Sequence, residues 1–505
     1  MPITPLLSWD MIYPGACQWT NARQPVECDV PRGVELRVEP ATKSEPILVA
    51  ERPWERGGLS GSQVLSDGGR YRMWYSARPE EGVHALCYAE SDDGARWRKP
   101  ELGIINWSGS AANNLVHAGP EAASACVLKD PTADDDARYK AMSFSAWFEG
   151  ERGEILDSDE GHRRLDAQNA AGPGERVPPV RIEGKMRGMI SPDGLHWTPI
   201  RGPILEEWHD THNICVWCPT RGSYVAYLRG FYAGRRAISY SETDEFSSWP
   251  ASRIVHALSP GDEPDLSLYS NCYTAYPGAP GVHLMFPALY HQGADTVDVQ
   301  LAVSLDGAHW SRHSGRPVIP HGQPGEPDGG FVYAEPELIR FPSEGKLRLL
   351  CHTGARYHNE WYNEELRKQG LESHYRWAQW PEDRLAGIHA PAEGQFTMTL
   401  QACGERMLAN FRTEPGGWVR FELTDRLVWP PLQLPGLPGR CFEQAEPLSG
   451  DHTRREVAWR AGADLSDLRG RDVAVRVRLY KATLYAVTML GASAPSRRRD
   501  PRFPV

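Results

Sequence analysis

The chain has 505 residues, more than one average domain, with 40% hydrophobic and 24% charged residues, the balance of an ordinary globular protein. Its 66 acidic residues outnumber 55 basic ones, and a net charge of −11 excludes the broad basic surface that nucleic acid requires. No run approaches the roughly 20 apolar residues of a membrane span.

The N-terminus, "MPITPLLSWDMIYPGACQWT", has neither a basic region nor an apolar core of signal-peptide type, so a cytoplasmic location is expected. From residue 57 onward, short β-branched and aromatic runs alternate with Gly, Pro and Asp turns. A first unit, about 57–98, reads "GSQVLSDGG", "RYRMWYSA", "HALCYAESDDGARW". A second, about 123–198, reads "SACVLKDP", "RYKAMSFSAWF", "RGMISPDGLHW". It is interrupted over 150–180 by a polar, Gly/Pro-rich insertion read as a loop over one face.

The third unit, about 210–249, is degenerate: "NICVWCPT", "SYVAYLRG", "RRAISYSETDEFSSW". The fourth, about 268–310, reads "NCYTAYPG", "VHLMFPALY", "DVQLAVSLDGAHW". The fifth, about 330–380, reads "AEPELIRFP", "KLRLLCHTG", "HYRWAQWPEDRLAGI". Self-similar β units on this scale predict blades, and five units predict a five-bladed β-propeller over 1–391. Ser-x-Asp-Gly-x-x-Trp occurs at 91–97, 191–197 and 304–310. Asp caps local N–H groups, Gly takes positive φ, and the Trp is free to pack between blades, so the motif reads as a fold signature.

After "WPEDRLAGIHA" the strands lengthen: "GQFTMTL", "MLANFRT", "GWVRFELTD", "DVAVRVRLYKATLYAVTM". This predicts a β-sandwich over 392–492, with an Arg-rich tail over 493–505. The fold class is therefore all-β. The ten Cys show no metal spacing; Cys215 and Cys218 stand on one strand, three apart, and alternation points them to opposite faces.

Propellers place chemistry where their inner strands converge. Aligning the five units on the turn after the first strand puts Ser60, Ser124, His212, Ser270 and Glu335 at one level, with Asp210 and Tyr333 two residues earlier. Asp210, Glu335 and Asp265 are the candidate catalytic carboxylates: one neutral acid and one ionised partner are what glycosidic cleavage needs. His212, Asn213, Tyr269, Asn271, Tyr333, Glu337, His291 and Trp54 are the candidate substrate-binding residues. Asp130, in "LKDPTADDD", falls at the far end of an inner strand and reads as a turn residue.

In layout the chain resembles the five-bladed propeller glycoside hydrolases of the invertase and arabinanase type. "GRYRMWYSA", "YAESDDGARWRKPELG", Asp210-Thr211-His212-Asn213 and Asp265-Leu266-Ser267-Leu268-Tyr269 carry the likeness. That family's Asn-Asp-Pro-Asn motif has no counterpart here. The resemblance implies hydrolysis of an oligo- or polysaccharide, a carbohydrate as partner, and neither nucleic acid nor membrane; homo-oligomers are compatible with it. No cofactor is expected. A structural or axial divalent metal such as calcium fits the nearby His209, His212, His291 and His352, but no spacing requires one. The alternatives are a non-catalytic carbohydrate-binding propeller and a metal-dependent carbohydrate lyase or isomerase with axial His ligands.

Overall fold

The computed structural model describes residues 3–19, 25–79, 84–152, 154–156, 158–172, 175–210, 212–362, 373–399, 401–425 and 435–492. The fold is nearly all-β, 51% strand, with four sheets in a β-propeller arrangement. The first sheet orders Leu59–Asp67, Arg70–Ala77, Ala85–Ser91 and Leu115–Ala118 from one edge to the other. The second orders Cys126–Lys129, Tyr139–Glu149, Arg181–Ser191 and Thr198–Pro199. The third has Ile214–Cys218, Ser223–Tyr232, Arg235–Thr243 and Arg253–His256. The fourth has Tyr273–Tyr276, Ala279–Met285, Ala302–Ser304 and Ser311–Arg312. Each is an antiparallel meander, so chain order and spatial order agree.

The fourth unit is broken across its middle. Leu266–Ser270, Ala288–His291 and Thr296–Val299 continue the chain into or out of that sheet, yet belong to a different one. The break falls at Cys272, whose φ is 43°, and again beside Pro287, which has no N–H to give a ladder. The displaced strands form one eight-stranded sheet with Phe331–Phe341, Lys346–Gly354, Ser373–Pro381 and the N-terminal Thr42–Lys43 and Leu48–Val49. Thr296–Val299 meets Phe331–Phe341 in parallel, at Val297 and Phe331.

Contacts between neighbouring sheets join them in a closed circuit. Cys126 Sγ lies 3.5 Å from Gln63 Oε1 and 3.5 Å from the Cys215 carbonyl. Tyr227 and Tyr273 stack at 4.3 Å. Thr274 Oγ1 accepts from the Leu338 N–H at 3.2 Å, and Glu335 accepts from the Ser62 N–H at 3.0 Å.

The three Ser-x-Asp-Gly-x-x-Trp turns superimpose in their bonding. In each, the Ser hydroxyl accepts the Gly N–H at 2.9 Å, and the Asp carboxylate accepts the next two N–H groups at 2.8–2.9 Å. The Gly carbonyl is the receptor for an aromatic group of another sheet: Trp377 Nε1 on Gly94 at 2.7 Å, Trp74 Nε1 on Gly194 at 2.6 Å, Tyr227 Oη on Gly307 at 2.8 Å. A Cβ on Gly194 would stand 2.7 Å from the Trp74 ring. The motif therefore joins neighbouring sheets through its glycine, and its own Trp is only part-buried.

Besides a two-stranded ribbon of Ala16–Trp19 and Pro25–Cys28, one further sheet is built on two 19-residue strands, Arg406–Thr424 and Asp472–Leu490, flanked by Ala386–Thr397 and Asp451–Glu456. The N-terminal strands Ile3–Pro5 and Glu35–Val38 pair into it. Arg476 binds Asp29 and Glu422 there, all three nearly buried. One apolar core runs from this sheet into the fourth and eight-stranded sheets.

The 150–180 insertion is not a simple loop: Ser158–Ala170 is a helix, the one helix among the described residues longer than a 3-10 turn. Arg164 pairs with Glu160 one turn away at 2.6 Å, and Gln168 caps the Val180 N–H at 2.7 Å. Gly161 admits the Phe148 ring, which a Cβ would meet at 2.1 Å. Polar composition hid a helix that is held by ion pairs and one close approach.

Candidate active site

Phe331–Phe341 carries Glu335 to the centre of the circuit. Its ladder with Lys346–Gly354 loses register between Ala334 and Leu338, where Pro336 cannot donate and Glu337 takes φ 84°. Glu335 is 1% exposed, and its Oε2 accepts only the Ser62 N–H and faces His212 Nδ1 at 3.5 Å. With so little to solvate a negative charge, burial pushes its pKa up to about 8. Glu337 is raised to about 7 for the same reason.

His212 is driven the other way, to about 4, by burial and then by the Arg229 charge, so it is a neutral imidazole at physiological pH. Its Nε2 is buried and has no hydrogen-bond partner. His352, lowered to about 3 by burial and by neighbouring His374, His212 and Arg78, likewise keeps an unpartnered Nε2. Ser60 and Ser270, predicted at the same level, have buried hydroxyls without partners. Ser124 is backed against Gly61, where a Cβ would meet it at 2.8 Å.

Around this neutral floor stands a charged, aromatic wall. Asp210, at φ 47°, ion-pairs with Arg229; the Asp210 side chain is 44% exposed and the guanidinium is buried. Asn213 Nδ2 donates to the Asp210 carbonyl at 2.6 Å and its Oδ1 accepts the Arg229 N–H at 3.0 Å, which fixes the loop to the strand beneath. Arg229 lies over the Tyr269 ring at 4.3 Å and also donates to the Tyr269 carbonyl. Asn271 Nδ2 donates to the His212 and Tyr227 carbonyls, so it holds the backbone on which His212 stands.

Tyr333 Oη donates to His358 Nδ1 at 2.7 Å; the Tyr269 and Tyr290 rings each stand 4.6 Å from His358. His352 is stacked near Tyr333 and edge-on to Phe331.

Of the predicted residues, the structure thus brings together Asp210, His212, Asn213, Tyr269, Asn271, Tyr333 and Glu335, with Glu337 two residues further along the same strand. Asp265 precedes Leu266–Ser270, the strand that carries Tyr269, and its carbonyl accepts from Gln292. His291 pairs with Leu266 across the strands and bonds Asp298 at 3.0 Å, which raises its pKa. Trp54 packs into the core of the first sheet with Leu59 and Tyr75 and donates to Asn114 at 3.1 Å. His209 is tied to the Arg229 carbonyl and Glu207. Asp130 closes the turn after Cys126–Lys129, accepting from Thr132 and Tyr224. Arg229, Arg236, Tyr290 and His358 escaped the sequence reading, because they stand on second and third strands or in loops of other units; the sequence marks His352 only as a candidate ligand of an axial metal.

Such a site can hold a proton on a buried carboxyl, accept hydroxyl groups at open imidazole nitrogens, and stack sugar rings on tyrosines. Among the described residues, no group of three or more His, Cys, Asp or Glu is arranged to hold a metal ion. His212 and His352 would be the nitrogen ligands of an axial ion.

No family model matches the chain. Two uncharacterized proteins of Mycobacterium tuberculosis share short stretches with it. One, of strain CDC 1551 / Oshkosh, is 37% identical over 78 residues, 14% of this chain and 24% of that one. The other, of strain ATCC 25618 / H37Rv, is 41% identical over 58 residues, 10% and 19%. The chain thus spans about a quarter or less of these curated relatives. Among solved structures, it is similar to an N-acetylgalactosamine deacetylase from F. plautii, at 13% identity and TM-score 0.45 over 69% of this chain and 96% of that one. It is also similar to a sucrose-6-phosphate hydrolase from Lactobacillus gasseri, at 12% identity and TM-score 0.37 over 84% and 90%. A Bombyx mori β-fructofuranosidase follows at 9% identity and TM-score 0.39 over 92% and 95%. At these identities and scores, chemistry does not transfer with the fold.

Proposed function

We propose that the chain is a glycoside hydrolase, with Glu335 as general acid and Asp210 as the ionised carboxylate. The observation that carries this reading is the contrast between them. Glu335 is buried and keeps its proton at neutral pH, while Asp210 is half-exposed and ion-paired with Arg229. Two carboxyl groups whose surroundings separate their protonation are the mark of acid and base roles. His212, neutral, 3.5 Å from Glu335 and with a buried Nε2 that lacks a partner, is suited to bond a sugar hydroxyl beside that acid.

The same reading takes Phe331–Phe341, Lys346–Gly354, Ser373–Pro381 and Thr42–Lys43 as a fifth blade, closed by the N-terminal segment. The closed circuit of sheets supports this, and the bent C-terminal sheet over 392–492 is taken as the sandwich.

The test is turnover of aryl glycosides and natural oligosaccharides by the purified chain, with and without EDTA, beside Glu335→Gln and Asp210→Asn. Hydrolysis that resists chelator and falls at least 100-fold in each variant is expected, the usual size of an acid–base contribution. Sugar binding without turnover in the unsubstituted protein would make it a lectin-like propeller instead. Turnover that survives both substitutions would remove these acids from the mechanism.

A further inference from the structure

Arg236 has no role in the cleavage proposed above. It is the second residue of the third strand of the third sheet and leans over the Tyr269 ring at 4.9 Å, on which Arg229 also lies. Its Nη1 donates to Ser267 Oγ at a long 3.3 Å, and its Nε is buried without a partner.

The carboxylates close to it are engaged elsewhere. Asp210 is taken by Arg229, and Asp295 accepts from Tyr290 Oη and the Asn359 N–H. The Arg236 charge reaches Tyr290, Tyr333 and His358. The other titratable groups of the floor are neutral: His212, His352 and His358 have lowered pKa values and Glu335 a raised one. Among the described residues, this wall therefore presents a guanidinium with no ion-pair partner and an N–H without an acceptor. A part-buried cation with an orphan N–H is costly unless an anion completes it.

Resting on the hydrolase reading, we infer that the sugar bound here carries an anionic group, a carboxylate or a phosphate or sulfate ester, received by Arg236 beside Tyr269. A planar guanidinium stacked on an aromatic face meets such an oxyanion through two N–H groups, which an ammonium cannot do.

The experiment is equilibrium binding by calorimetry to the full-length Glu335→Gln protein, which bars turnover. The probes are methyl glucuronoside, methyl galacturonoside, glucose 6-phosphate and glucose 6-sulfate, against methyl glucoside and methyl galactoside. At least one anionic probe is expected to bind tenfold or more tightly than its neutral counterpart. Arg236→Met should erase that preference and Arg236→Lys should keep part of it, each checked for native circular dichroism. Whether carboxylates or esters win identifies the substituent. Equal binding of neutral and anionic probes, binding of none, or a preference that survives Arg236→Met overturns the inference. If hydrolysis of neutral oligosaccharides is meanwhile lost in Glu335→Gln, the hydrolase reading stands without it.

Discussion

Replacing Glu335 by Gln should make the protein more stable, and increasingly so as pH rises. Glu335 titrates near 8 in the folded chain and near the ordinary 4.5 when unfolded, because burial disfavours its charged form. Between those values the unfolded chain has already lost a proton that the folded chain still holds. Stability therefore falls with rising pH across that window, by about 1.4 kcal/mol per unit, and levels off above 8. The full loss is on the order of 5 kcal/mol, a large share of a domain's net stability. Gln keeps the shape and can still accept the Ser62 N–H, but it cannot ionise. Urea denaturation of both proteins at intervals from pH 5 to 8.5 measures the difference directly. Curves that diverge by roughly 3 kcal/mol between pH 5 and 7.5 are expected from that slope. Parallel curves would refute the argument, because Glu335 would then be charged in the folded state and could not serve as an acid at neutral pH. The same titration sets the alkaline limb of activity: turnover should fall above about pH 8 as Glu335 loses its proton.

Asp210→Asn leaves the buried Arg229 guanidinium without its counter-charge and should cost about 3 kcal/mol in denaturant, while turnover drops at least 100-fold by steady-state kinetics. Gly194→Ala should lower the thermal midpoint by several degrees: the residue sits at φ 77°, where a side chain costs about 1–2 kcal/mol, and its Cβ would press on Trp74. Trp74→Phe tests the same joint more gently, losing the bond to the Gly194 carbonyl for about 1 kcal/mol. Arg476→Met strands two nearly buried carboxylates, Asp29 and Glu422, and should cost about 3–5 kcal/mol; a loss below 1 kcal/mol would mean that water already reaches the triad.

What could be read from the sequence follows from the range of the interaction involved. The blade strands and the Asp-Gly turns depend on neighbours within a dozen residues, and the three repeated turns bond alike. Cys215 and Cys218 did fall on opposite faces, in two different apolar clusters, as strand alternation requires. Register alone pointed to His212 and Glu335, now 3.5 Å apart although 123 residues separate them in the chain. The break in the fourth unit was invisible, because one positive φ at Cys272 leaves no trace in hydrophobic periodicity, yet it turns three strands onto the next sheet.

Nor could the entry of Ile3–Pro5 and Glu35–Val38 into the C-terminal sheet be foreseen, since pairing over more than 350 residues has no local signal. The wall of the site lies at the same limit. Arg229 and Arg236 follow ordinary strand alternation and look like any surface arginine in the sequence. Their meaning comes from what stands opposite them: Asp210 for one, and for the other a tyrosine face and an N–H without a partner. An inner-strand acid can thus be read from the repeat, but the charge that selects its substrate is set where two sheets meet.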